Sequence, residues 1–212
     1  MTNTLHPQAR AALDEREDAG IPPGYALSTA CYREQFRESM TTQSTVPVKT
    51  SVDVSIPGPA TDIPVRTYHP GGDDSLPIVE FFHDDGSMLG DLDCFDSLCT
   101  RLADQSGCLI VSIGYRLTPE HPFRAPLRDC YAAVSWLSVH AANIGGDPNR
   151  IAVSGTSAGA DLAAAIALLA RDRDGPCISH QALLYPPSRR TAWSNSRATR
   201  RTRRGTDSLP RA

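Results

Sequence analysis

Between residues 78 and 185, short runs of β-branched and aromatic residues alternate with longer helix-forming stretches, and this rhythm constrains the fold more than any other feature of the chain. Strands are expected at 78–82, 109–113, 151–154 and 182–185, and helices at 93–106, 127–142 and 158–170. A strand that is followed by a helix returns to its sheet by a crossover, so successive strands run parallel and are covered on both faces. The segment before this region reads differently. Residues 48–56 and 63–68 alternate apolar with polar around Pro57-Gly58-Pro59, as a hairpin would. Earlier still, 5–19 and 28–40 read as amphipathic helices separated by the breaker at 20–24. The expected organisation is an N-terminal helical cap element over 1–45, an α/β core over 46–186 and a tail over 187–212. The chain contains no internal repeat.

One junction in this pattern carries chemistry. In Gly155-Thr156-Ser157-Ala158-Gly159, an apolar strand meets an alanine-rich helix, and glycines two before and two after the serine let the chain turn tightly enough to thrust its hydroxyl outward. The spacing alone arises by chance in roughly one chain in twenty of this length at average glycine and serine usage. Its placement between a strand and a helix gives it weight. Ser157 is therefore a candidate nucleophile, and a structural serine in a tight turn is the competing reading.

Composition narrows the remaining classes. Hydrophobic residues make up 40% of the 212, enough for a cored globular domain. The first ten residues are polar and no run of about eighteen apolar residues occurs, which gives a cytoplasmic location as the expectation. The six cysteines, Cys31, Cys94, Cys99, Cys108, Cys130 and Cys177, have no metal-ligand spacing and read as free thiols. Charge is distributed unevenly: residues 1–186 hold 13 basic and 23 acidic side chains, whereas 187–212 hold eight arginines and one aspartate. That tail, with Trp193 and Leu209 as its large apolar residues, has no periodicity and reads as disordered. It suggests non-specific attraction to phosphates at most, and no specific nucleic-acid module.

Three separated stretches resemble the α/β-hydrolase fold esterases and lipases of the hormone-sensitive-lipase-like group. Phe81-Phe82-His83-Asp84-Asp85-Gly86 looks like that family's His-Gly-Gly-Gly loop, Tyr115-Arg116-Leu117-Thr118-Pro119-Glu120 is close to its Tyr-Arg-Leu-Ala-Pro-Glu segment, and the elbow at Ser157 completes the set in the family's order. The resemblance spans about residues 5–186. It implies a small-molecule ester substrate, with Ser157 attacking the acyl carbon to give an acyl-enzyme that water cleaves. It also implies an oxyanion hole from the backbone amides of Asp85, Gly86 and Ala158, with His83 bracing the loop. Neither an organic cofactor nor a metal is implied, although His83-Asp84-Asp85 raises a metal site as a minor alternative. Arg116 and Glu120 are expected to form a structural ion pair, with substrate contact as the alternative.

The chain also departs from that family. Asp84 and Asp85 stand where it has glycines, and a carboxylate ~5 Å from a developing oxyanion would oppose it by ~3 kcal/mol at an effective dielectric near 20. The family's triad continues downstream with Asp and then His, yet the sole histidine after Ser157 is His180, which enters a strand. A serine hydroxyl without an imidazole is a poor nucleophile. The pattern breaks off at Pro187, where a shift in reading frame is expected to have replaced the continuation. The resulting expectations are a C-terminally truncated hydrolase with impaired or absent activity, or a non-catalytic ester-binding remnant, exposing an apolar sheet edge.

Overall fold

The computed structural model describes residues 5–72 and 75–187. Along the chain lie α1 (Pro7–Asp18), α2 (Thr29–Thr41), β1 (Thr50–Ile56), β2 (Ile63–His69), β3 (Leu76–Phe82), α3 (Asp96–Ser106), β4 (Leu109–Ile113), α4 (Ala125–His140), β5 (Gly146–Thr156), α5 (Ala158–Asp172) and β6 (His180–Leu184). The six strands form one sheet in the order β1-β2-β4-β3-β5-β6. The hairpin is present, with Thr50 opposite His69 and Ile56 opposite Ile63, and β2 runs antiparallel to both its neighbours. From β4 across to β6 every pairing is parallel, as the strand–helix rhythm requires. β5 begins five residues earlier than its apolar run, because Gly146 still pairs with Leu76 beyond an irregularity in the β3–β5 ladder.

Each face of the sheet has its own core. Ile78, Phe82, Val111 and Val153 pack beneath α4 and α5, while Tyr68, Phe81 and Ile110 pack against Cys99 and Ala103 of α3, with Phe36 and Met40 of α2 closing that side. The two N-terminal helices behave differently. α2 is seated, with the Phe36 ring 6.4 Å from that of Phe95, whereas α1 leaves every residue exposed, Leu13 included. The helix expected over residues 5–19 is thus present as Pro7–Asp18, and its apolar positions bury nothing among the described residues.

Burial is unusual on two of the strands. Glu80 shares the face of β3 that carries Ile78 and Phe82, is fully buried, and has no hydrogen-bond partner on either carboxylate oxygen. Burial alone pushes its carboxyl well above the ordinary glutamate range, so it is held protonated. At the other side of the sheet, β6 pairs among the described residues with β5 alone, and all five of its residues are exposed. The Arg-rich stretch and the expected frame change lie outside the described residues, Pro187 apart.

The order of the strands also sets where a ligand can sit. From β3 the chain passes through α3 to β4 on one side, and from β5 it passes through α5 to β6 on the other. The loops after β3 and β5 therefore diverge and leave a crevice at the carboxyl ends of these adjacent strands, the usual ligand position in an open α/β sheet. His83 and Ser157 each follow directly on one of those two strands.

Candidate active site

Ser157 sits alone between β5 and α5 with φ 47° and ψ −115°, a backbone conformation that a residue with a side chain adopts only under constraint. The constraint comes from the two glycines. A Cβ on Gly155 would lie 2.3 Å from the Gly159 carbonyl carbon, and one on Gly159 would lie 1.9 Å from the Phe82 carbonyl oxygen. Helix α5 thus presses directly on β5 and on the end of β3, and only glycine allows it. The Ser157 amide donates to the Leu184 carbonyl at 2.9 Å, while its own carbonyl accepts from Ala160 and Asp161. Its hydroxyl makes no hydrogen bond to any described residue. Ala158 opens α5, and its amide and that of Gly159, ahead of the first bonded turn, have no partner within the helix.

Across the crevice, the loop after β3 turns through three consecutive left-handed residues, Asp85 at φ 66°, Gly86 at 68° and Ser87 at 58°. The Asp85 carbonyl accepts from the Met88 and Leu89 amides, which tightens the turn. Asp85 therefore adopts the angle a glycine would supply, which short polar side chains tolerate better than most. Its carboxyl is half-buried; burial first, and then the neighbouring Asp84 carboxylate, push it up to about 7. The Tyr185 hydroxyl, just past β6, donates to Asp84 Oδ2 at 3.0 Å.

The loop is fixed from below by aromatic stacking. The buried His83 ring lies 4.2 Å from Tyr115 and 5.2 Å from Phe95, nearly parallel to both. Tyr115 donates its hydroxyl to the His83 carbonyl at 2.8 Å, and His83 Nδ1 lies 3.2 Å from the Asp84 carbonyl oxygen. Desolvation pushes the imidazole down to about 4, so it is neutral at physiological pH.

The expected ion pair between Arg116 and Glu120 is not formed. Arg116 instead makes a bidentate pair with buried Asp129 on α4, at 2.8 and 2.7 Å, and donates its backbone amide to the same carboxylate. Glu120 is taken by Arg33 of α2, whose guanidinium also donates to the carbonyls of Met88 and Thr118. Residues 114–122 are not helical, so a spacing of four does not bring Arg116 and Glu120 together. Arg33 is the contributor that sequence reasoning missed, since its partners lie 55 to 87 residues away.

Beside the elbow opens a pocket of about 280 Å³ lined by Gly86, Ser87, Phe123, Leu127, Ala158 and Leu162. The structure thus gathers Gly86, Ala158 and the neighbours of Ser157 at one crevice. His180 stands apart. It opens β6 opposite Ala152, four residues or ~13 Å along the strand from the Leu184 that meets Ser157. No group of three or more His, Cys, Asp or Glu able to hold a metal occurs among the described residues, and none of their helices is long and apolar enough to cross a membrane.

Known proteins are similar to this chain in sequence and in fold. A carboxylic ester hydrolase of Mycobacterium tuberculosis, LipN, is 45% identical over 149 residues, or 68% of this chain and 40% of that protein. The esterase LipI of the same organism is 43% identical over 68% of this chain and 45% of its own. This chain thus spans less than half the length of those two relatives. Among solved structures, the ester hydrolase EH1AB1 from the metagenome of Lake Arreo superposes with a TM-score of 0.81 at 34% identity, over 91% of this chain and 65% of that one. An esterase of Pyrobaculum calidifontis gives 0.75 at 36% identity, over 86% and 58%. Residues 79–210 match the family described by the alpha/beta hydrolase fold, a span that takes in the β3 loop, the elbow and the crevice between them. With the sheet order, the strained serine and its two obligatory glycines in place, the chain belongs to the alpha/beta hydrolase fold family.

Proposed function

We propose that this chain carries the nucleophile-bearing part of a carboxylic ester hydrolase of the hormone-sensitive-lipase-like kind, acting on small-molecule esters through an acyl-enzyme. The observation that carries the reading is Ser157, held at φ 47° at the mouth of the crevice with its hydroxyl unengaged. In this reading Ser157 attacks the acyl carbon and forms an ester with it, while the alcohol leaves with a proton. The amides of Ala158, Gly86 and Asp85 receive the oxyanion, and His83 acts as a positioning residue that keeps the Asp84–Asp85 peptide in place.

Two features argue that turnover by this chain is impaired. No described histidine hydrogen-bonds the Ser157 hydroxyl, and the Asp84–Asp85 pair brings negative charge to the turn that offers the oxyanion donors. These same features support the second reading, an ester-binding remnant without catalysis. A fluorophosphonate probe followed by intact-mass analysis, together with hydrolysis of p-nitrophenyl butyrate, separates the two. The proposal expects slow stoichiometric labelling of Ser157, lost in Ser157→Ala, and weak Ser157-dependent hydrolysis. Absence of labelling together with saturable ester binding would leave the remnant. Intact mass and peptide mapping of the protein from its own cells across residues 185–200 test the expected frame change.

A further inference from the structure

The groove between α4 and α5 does not end at the elbow. On α5, Ala158, Leu162, Ala165 and Leu169 are spaced by four, three and four residues, which places them on one stripe, and Arg173 follows at the helix C-cap. The first three line the pocket beside Ser157, and the last two line a second, larger cavity of about 580 Å³. Phe123 and Leu127 border both, so the cavities are consecutive along one groove. The larger has an apolar floor of Leu127, Tyr131 and Leu169, and its charged residues are Arg124, Arg128 and Arg173.

That charge is out of character for the molecule, since residues 1–186 hold 23 acidic against 13 basic side chains. Of the carboxylates nearby, Asp129 is engaged by Arg116 and Asp172 by Arg171, while Asp174 beside Arg173 and Asp161 at the elbow end of the groove form no ion pair with a described residue. Arg173 is held over the Tyr131 ring, 5.4 Å from its centroid, which orients the guanidinium at the rim. A volume of this size is typical of small-ligand sites, and an apolar floor with a cationic rim selects a molecule that is a chain at one end and an anion at the other. The planar guanidinium fork binds the paired oxygens of a carboxylate bidentately, as it does those of a phosphate.

We propose that this cavity is a binding site for a medium-chain carboxylate, with its alkyl chain against Leu127, Tyr131 and Leu169 and its headgroup among the three arginines. The site is distinct from the crevice at Ser157 and does not depend on that serine being reactive. Titration calorimetry of the full 212-residue chain tests it with decanoate, 1-decanol and decyltrimethylammonium at one ionic strength. Decanoate is expected to bind saturably, one per chain, and at least about tenfold more tightly than the neutral or cationic chain, the worth of one or two charge-assisted hydrogen bonds. Arg128→Gln with Arg173→Gln should weaken decanoate by a similar factor with an unchanged unfolding midpoint, while Ser157→Ala binds as the unmodified chain does. Equal affinity for decanoate and decanol overturns the proposal without any variant. So does full retention in the arginine double variant, and loss in Ser157→Ala would move the ligand to the elbow pocket instead.

Discussion

Replacing Glu80 with leucine should make the protein more stable, by an amount that grows with pH. Glu80 lies in the middle of β3 under α4 and α5, fully buried, with neither oxygen hydrogen-bonded. A neutral polar group buried without a partner costs ~1–3 kcal/mol, and an apolar side chain of similar volume removes that cost while adding burial worth ~1–2 kcal/mol. A second contribution comes from ionisation. Folding must keep Glu80 protonated, because burial raises its carboxyl well above the ordinary 4.5, whereas the unfolded chain releases the proton near that value. Below it both states hold the proton and no ionisation cost arises. Above it the folded state holds one proton more, so stability falls by ~1.4 kcal/mol per pH unit until the folded group itself titrates. The difference between Glu80→Leu and the parent should therefore be about 2–5 kcal/mol at pH 4 and widen through pH 5, 6 and 7. Urea unfolding at each pH measures it, and Glu80→Gln separates the two contributions by removing the slope while retaining the polar burial. A parent as stable as Glu80→Leu, or a difference independent of pH, would refute the reasoning.

Ser157→Gly should relieve the backbone strain at φ 47°, stabilise by about 1 kcal/mol and raise the melting temperature by ~2–4 °C, as differential scanning fluorimetry would record. Asp129→Ala strands the Arg116 guanidinium after removing its bidentate partner, and chemical denaturation should report a loss of about 3–5 kcal/mol. Asp85→Gly removes a carboxyl that titrates at about 7, so it is protonated and harmless below that pH and charged above it. The ratio of fluorophosphonate labelling rates, Asp85→Gly over parent, should accordingly rise through pH 7 to roughly tenfold, allowing for solvent screening of a half-exposed charge. A flat ratio would place the Asp85 carboxylate clear of the reacting centre.

The alternation after residue 78 made each strand and helix of the core legible, because strands buried on both faces read as continuous apolar runs. The same period says nothing about lateral order. That β4 lies between β2 and β3, and so places the β3 and β5 loops side by side, follows from three-dimensional packing of the helices. The elbow was legible for a local reason, since the clashes that exclude a Cβ at Gly155 and Gly159 involve residues already adjacent in the chain or in the sheet. Arg33, Tyr185 and Asp129 were not, because their partners are 13 to 101 residues distant and nothing local encodes them. α1 marks the opposite case, a helix legible in sequence that packs on nothing described. Its residues have the propensity of a helix, and helix formation by itself does not supply a surface to pack against.

The reach of Arg33 has a kinetic meaning. Its guanidinium joins α2 to the turn after β3 and to the segment before α4, closing loops of 55, 85 and 87 residues with hydrogen bonds alone. Contacts of such separation carry loop-closure entropy that the core must repay before they can form, so they come late in folding and open early under stress. The rim of the crevice is thus less protected than the buried strands β3 and β4 beside it. Amide exchange should run faster at Met88 and Thr118 than in β3 and β4 beside them, and α2, although separate in sequence, sets how long the crevice keeps its shape.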